Sequence, residues 1–145
     1  MEHLAIMKKS WKLSDKILSG EKTIESRWYK NKAPPWGKIY AGETVYFKNS
    51  GEPITIKAKV KQVIQYSSLT QEKVEEILKN YHLPIGIPAD KIKTFSEQFK
   101  NKHYCILIFI KDPKKIEPFE INKKGFGNMA AWITIKSIEN IKIKN

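Results

Sequence analysis

The sequence predicts an α+β, mainly β fold: a small β-barrel with two to three peripheral helices. Three observations point there. Short runs rich in β-branched and aromatic residues recur along the chain, and turn clusters separate them. Few segments carry helical spacing. Those few do not alternate with the strands as a parallel βαβ sheet would require, so a small barrel fits better than a doubly wound sheet.

Leu4-Ala5-Ile6-Met7 reads as a buried strand. Ser10 is placed to cap a helix from Trp11 to Ser19, with Leu13 and Ile17 four apart and Gly20 just past its end. Lys22 to Trp28 reads as a strand in which Thr23, Glu25 and Arg27 share the face opposite Ile24. Lys32-Ala33-Pro34-Pro35-Trp36-Gly37-Lys38 is a loop, because paired prolines remove donors and stiffen the backbone. After the Ala41-Gly42-Glu43 turn, Thr44 to Lys48 is a strand. Asn49-Ser50-Gly51-Glu52-Pro53 turns the chain into a long strand, Ile54 to Tyr66, with Ile54, Ile56, Ala58 and Val60 on one face and lysines on the other.

Thr70 starts the clearest helix, with Val74, Ile77, Leu78 and Tyr81 at helical spacing and Leu83-Pro84 as its stop. Pro88 to Lys100 is a second helix, with Ile92, Phe95 and Phe99 on one side. Tyr104 to Ile110 is apolar on both faces and reads as a central strand. Pro113 and Pro118 bracket a loop, Lys123 to Asn128 is an irregular basic segment, and Trp132 to Ile135 and Ile138 to Ile143 are the closing strands. Residues 1–145 are expected to form a single domain, with a helical insertion at about 67–102.

Composition narrows the function. The chain has 145 residues and one cysteine, which rules out an intramolecular disulfide and a four-cysteine zinc site. His3, His82 and His103 show no metal-ligand spacing, so no metal and no cofactor is expected. No apolar run approaches the ~20 residues of a membrane span, and the N-terminus lacks a secretory pattern. A cytoplasmic monomer without a membrane partner is the expectation. The net charge is +12 and the pI about 9.7, which favours a polyanionic partner such as RNA or a nucleotide. Of the 27 basic residues, 26 are Lys and one is Arg27. Lysine does not replace a planar guanidinium, so a lone arginine asks for a specific explanation.

That arginine lies in Gly20-Glu21-Lys22-Thr23-Ile24-Glu25-Ser26-Arg27, or Gly-x-Lys-x-x-Glu-x-Arg. With the strand and helix before it, the Pro-Pro-Trp loop and Gly42-Glu43 turn after it, and Ser50-Gly51 beyond, this segment resembles the signature of the ASCH family in the PUA-like superfamily. The resemblance covers about Leu4 to Tyr66 well and the final third loosely. It implies a PUA-like barrel with a cleft lined by the motif, binding RNA or a modified nucleotide. Some relatives are hydrolases of acylated cytidines, and ribonuclease activity has been attributed to others. The deacylating branch carries Thr where this chain has Glu25, a departure that argues against that chemistry here.

The residues themselves support a related reading. Glu25 accepts hydrogen bonds and Arg27 donates a planar pair from the same strand face, a combination suited to the edge of a base. Lys22 would add a phosphate contact. Trp36 among lysines, and Trp28, offer stacking surfaces. The candidate binding set is Lys22, Glu25, Arg27, Trp28, Lys30, Trp36, Lys48 and Ser50. In the alternative, a small hydrolase on a modified nucleoside or a ribonuclease, Lys22 and Glu25 would be catalytic. The plain counter-reading is an exposed Glu25–Arg27 pair worth ~0–1 kcal/mol. Trp11, Trp132 and Cys105 are read as core.

Overall fold

The computed structural model describes residues 1–8, 13–127 and 130–144. Six strands and three helices follow in the order β1 (Glu2–Met7), α1 (Leu13–Ser19), β2 (Ile24–Tyr29), β3 (Thr44–Asn49), β4 (Ile54–Tyr66), α2 (Gln71–Ile85), α3 (Ile92–Phe99), β5 (Tyr104–Phe119) and β6 (Trp132–Ile135). One curled sheet of order β2-β5-β4-β3-β1-β6 makes a half-barrel. Among the described residues only the β1–β3 pair is parallel.

Period-two alternation sorts side chains to the two faces. Val45, Phe47, Ile56, Ala58, Val60, Ile106, Ile108 and Ile110 fill the concave side, and Ile17 of α1 plugs it. On the convex side, α2 and α3 cover Ile24, Trp28, Cys105 and Leu107. Leu4, Ile54, Ile133 and Ile138 form a second convex cluster. The Trp132 and Cys105 side chains are buried, as the apolar pattern requires. The expected cap Ser10 and core residue Trp11 lie outside the described residues.

Three expectations about element ends are corrected. Leu83-Pro84 does not stop α2, which runs to Ile85. A proline in the last turn forfeits one backbone bond, and the end is closed instead by Gly86 at φ +99°, whose N–H reaches the His82 and Leu83 carbonyls at 3.0 and 2.9 Å. Pro113 and Pro118 do not bracket a loop; both lie within β5. Beyond Phe109, β5 has lost β2 as a neighbour, so its free edge asks for no donor. A bulge at Asp112, φ +52°, absorbs the irregularity. Ile138 to Ile143 is no strand: Ile138–Asn140 is a 3₁₀ turn capped by Ser137, followed by a single bridge between Ile121 and Lys142.

At the start of α2, Thr70 Oγ1 accepts from the Lys73 N–H at 3.1 Å. This is half of a capping box, consistent with lysine where the reciprocal Glu would stand. The segment between β4 and β5 holds α2, a 3₁₀ turn (Ala89–Lys91) and α3.

Candidate functional site

The motif occupies the turn after α1 and the first four residues of β2, Ile24 to Arg27. Gly20, at φ +84°, ends the helix in a conformation that a side chain would strain. β2 is an edge strand, and its concave face carries Glu25 and Arg27 together.

The three charged motif residues converge. Glu25 Oε1 lies 3.2 Å from Lys22 Nζ, and Oε2 lies 3.0 Å from an Arg27 terminal nitrogen. The side chains are 2, 7 and 13% exposed for Lys22, Glu25 and Arg27, so the exposed surface pair of the plain reading is not what forms. Burial works to raise the Glu25 carboxyl, but Lys22 and Arg27 outweigh it and hold it below its ordinary value. Burial pushes the Lys22 ammonium down, with the Glu25 carboxylate opposing.

Lys22 does more than pair. Its Nζ also donates to the Ile24 carbonyl at 2.8 Å and to the Ile85 carbonyl at 2.6 Å, so its three N–H groups have three acceptors. The neighbouring Thr23 N–H donates to the Pro84 carbonyl at 2.8 Å. The last carbonyls of a helix lack internal partners and carry partial negative charge. Lys22 and Thr23 satisfy those of α2 and pin the helical segment to β2. The expected phosphate contact by Lys22 is therefore replaced by a buried structural one.

Arg27 has its own second task. One terminal nitrogen donates to the Ala131 carbonyl at 3.1 Å, and the other reaches the Ile6 carbonyl at 3.4 Å. Its guanidinium also lies 5.1 Å over the Trp132 ring. Ile6 is the penultimate residue of β1 and Ala131 precedes β6, at the opposite margin of the sheet from β2. Arg27 thus clasps the seam where the half-barrel nearly closes. A lysine could not hold both margins and Glu25 at once.

Above this floor opens a cleft of about 740 Å³. The Lys22, Glu25, Arg27 and Trp28 positions line it, together with Tyr29, Ile6, Ile87, Pro88, Phe95 and Phe99. Lys8, Lys16, Lys91 and Lys102 stand around it, and among the described residues Glu25 is its single carboxylate. Trp28 points to the helix side of β2, as alternation requires, where it stacks on Phe99 at 4.3 Å with the rings 6° apart. Together the two rings make an apolar wall.

Four expected site residues do not reach the cleft. Lys30 is exposed past the end of β2. Trp36 is half-buried against the concave core, edge-on to Tyr104 at 5.0 Å, because its proline loop folds back on the barrel. Lys48 is buried on β3 with Glu120 and Lys123 as its charged neighbours. Ser50 is exposed in the turn after β3, its N–H donating to the Met7 carbonyl at 2.8 Å. In exchange the fold brings in Phe95, Phe99, Lys16, Lys91 and Lys102, which no local signal marked as site residues. The four-residue spacing of Phe95 and Phe99 was the only hint. Among the described residues no His, Cys, Asp and Glu group has the makings of a metal site.

No family model and no curated protein matches the chain. Solved structures do. The ASCH protein of Zymomonas mobilis superposes with a TM-score of 0.68 at 14% identity, covering 96% of this chain and 90% of that one. A point mutant of that protein gives 0.67 at 15%, covering 96% and 93%. The N-terminal domain of Staphylothermus marinus McrB gives 0.51 at 13%, covering 81% and 75%. The chain has an ASCH-like, PUA-like fold.

Proposed function

We propose that the cleft binds RNA or a modified nucleotide. One observation carries this reading: a buried carboxylate–guanidinium pair lies at the floor of a cleft whose other charged lining residues are all lysines. Two oxygens of Glu25 have more lone pairs than Lys22 and Arg27 use, and Arg27 keeps N–H groups beyond its three bonds. A base edge offers the complementary donor and acceptor. The Trp28–Phe99 wall supports a ring, and Lys16, Lys91 and Lys102 meet the phosphates.

The test is titration of a fluorescent single-stranded RNA across salt concentrations. With three lysines on phosphates, log K should fall with log salt at a slope steeper than about −2. Phe99→Ala should weaken binding by about 1–3 kcal/mol, the scale of one stacked base. No RNA binding at low salt sinks the proposal, and a flat salt response points to a free nucleoside instead.

The hydrolase reading has one observation in favour, the burial that pushes the Lys22 ammonium down. Against it, three acceptors hold the proton on that nitrogen, and Glu25 stays ionised. Binding without turnover of an acylated cytidine or of RNA is the expected outcome. Product formation that Glu25→Gln abolishes would reverse the choice.

A further inference from the structure

On the convex face of the half-barrel, a strip of β4 and β5 lies between the two apolar clusters and is covered by neither. Its outward positions are lysines. Lys57 stands directly opposite Lys114, and Lys59 directly opposite Lys111, all four exposed. Directly opposed residues share a face, and like charges so placed destabilise a sheet.

Three lysines elsewhere pair with a glutamate three residues away, Lys73 with Glu76, Lys100 with Glu97 and Lys142 with Glu139. Here no ion pair forms among the described residues. Lys59 Nζ donates only to Thr44 Oγ1 at 2.8 Å, and Asp112 in the adjacent bulge is not paired with them. A surface meant only for solubility would interleave the two signs. Two like-charge pairs stand opposed across the ladder, with a register shift between them, an arrangement suited to an external anion.

We propose that this four-lysine ribbon is a second binding surface, for the phosphate backbone of a nucleic-acid duplex. Glu25 and Arg27 stand at the β2 edge of the sheet on the face opposite the ribbon, with β5 between β2 and β4. The spacing suits a polymer. Alternate residues of a strand lie about 6.7 Å apart, and adjacent strands about 4.8 Å, so Lys57 and Lys59 form one row, and Lys111 and Lys114, on either side of the Asp112 bulge, form a second, more twisted one. The ribbon carries no exposed aromatic residue, which argues against base stacking on a single strand. It has no apolar anchor either, which argues against a lipid surface. Contact to phosphates alone positions a partner without reading sequence.

The experiment compares the wild-type chain with Lys57→Gln, Lys59→Gln, Lys111→Gln and Lys114→Gln combined, using short DNA and RNA duplexes of one sequence. A charge-matched control replaces Lys79, Lys93, Lys124 and Lys144 by Gln. The ribbon variant should make the salt slope for DNA shallower by about 3 to 4, at about 0.9 per phosphate. RNA duplex binding should weaken alongside it, and the melting temperature should hold or rise as the like-charge pairs disappear. Binding of single-stranded RNA in the cleft should be less affected. Equal losses in the control would reduce the ribbon to net charge. An unchanged slope, or loss of binding to phosphatidylserine vesicles with duplex binding intact, would overturn the proposal. Should the four-fold variant melt early, Lys59→Gln with Lys111→Gln alone should still remove about 2 from the slope.

Discussion

The floor of the cleft and the ribbon on β4 and β5 use the same kind of residue in opposite ways. At the floor, Lys22 is 2% exposed, and each of its N–H groups has a protein acceptor. On the ribbon, Lys57, Lys59, Lys111 and Lys114 are exposed and face one another. A charge taken out of water must be matched by fixed partners, whereas a charge left in water stays available to a ligand. The positive charge at the floor therefore holds the architecture together, and the positive charge on the ribbon is free to be exchanged.

The contrast breaks first at Glu25. Glu25→Gln keeps the shape but leaves Lys22 and Arg27 as buried cations without a counter-charge. Denaturant unfolding should show a loss of about 3–5 kcal/mol. A loss below about 1 kcal/mol, typical of a surface pair, would mean that the floor is wetter than its burial implies.

Arg27→Lys comes next. From the sequence alone this change leaves stability nearly untouched, as the loss of an exposed strand pair would. The contacts to the Ala131 and Ile6 carbonyls change that expectation. Stability should fall by about 1.5–3 kcal/mol, the range for hydrogen bonds to a charged group, in a thermal or denaturant melt. A silent Arg27→Lys would show that the seam closes without its clasp.

Acid sharpens the comparison, because it acts on the buried groups of the fold. His3 is fully buried, accepts at Nδ1 from the Trp132 indole N–H at 3.3 Å, and donates from Nε2 to Glu43 at 2.9 Å. Burial holds it below its ordinary 6.5 although Glu43 opposes the shift. The unfolded chain therefore takes up this proton first, and stability is lost as pH falls from 6.5 towards the folded value. Glu25 is held below its ordinary 4.5, so its contribution is complete above 4.5 and is lost as pH falls through the lower folded value. Melts across pH should show two declines, with His3→Gln removing the upper one alone. A single decline below 4.5 in the wild type would contradict the His3 assignment.

The smallest effect belongs to the ribbon. Lys57→Gln with Lys114→Gln removes one opposed pair and should stabilise by at most about 1 kcal/mol. A clear destabilisation would mean that those side chains do more in the fold than repel.

How much of this was legible in the residues depends on the reach of each interaction. Ile54 to Tyr66 reads as a strand because its alternation is local, and Glu25 and Arg27 share a face because two residues along a strand always do. Thr70 announces α2 within four residues. Illegible were the contacts that cross the chain. Lys22 is buried by the Ile85 carbonyl, 63 positions away, and Arg27 is claimed by Ala131, 104 positions away. The same limit explains Trp36, Lys48 and Ser50. Their composition suits a binding loop, but the folding back of the proline loop and the course of β3 decide which way they face. Pro84 and Pro113 misled for another reason: a proline ends an element only where its missing donor was needed.

The bond from Lys22 to Ile85 also bears on how the cleft comes into being. Closing a loop of that length carries an entropic penalty that local contacts do not repay, so such closures come late in folding. A fragment ending at Tyr66 holds the entire Gly20–Arg27 motif and lacks Phe95, Phe99, Lys91 and Lys102. On a nascent chain the motif is complete long before the cleft is, and the cleft takes shape only once the segment that follows β4 has docked the last turn of α2 onto β2.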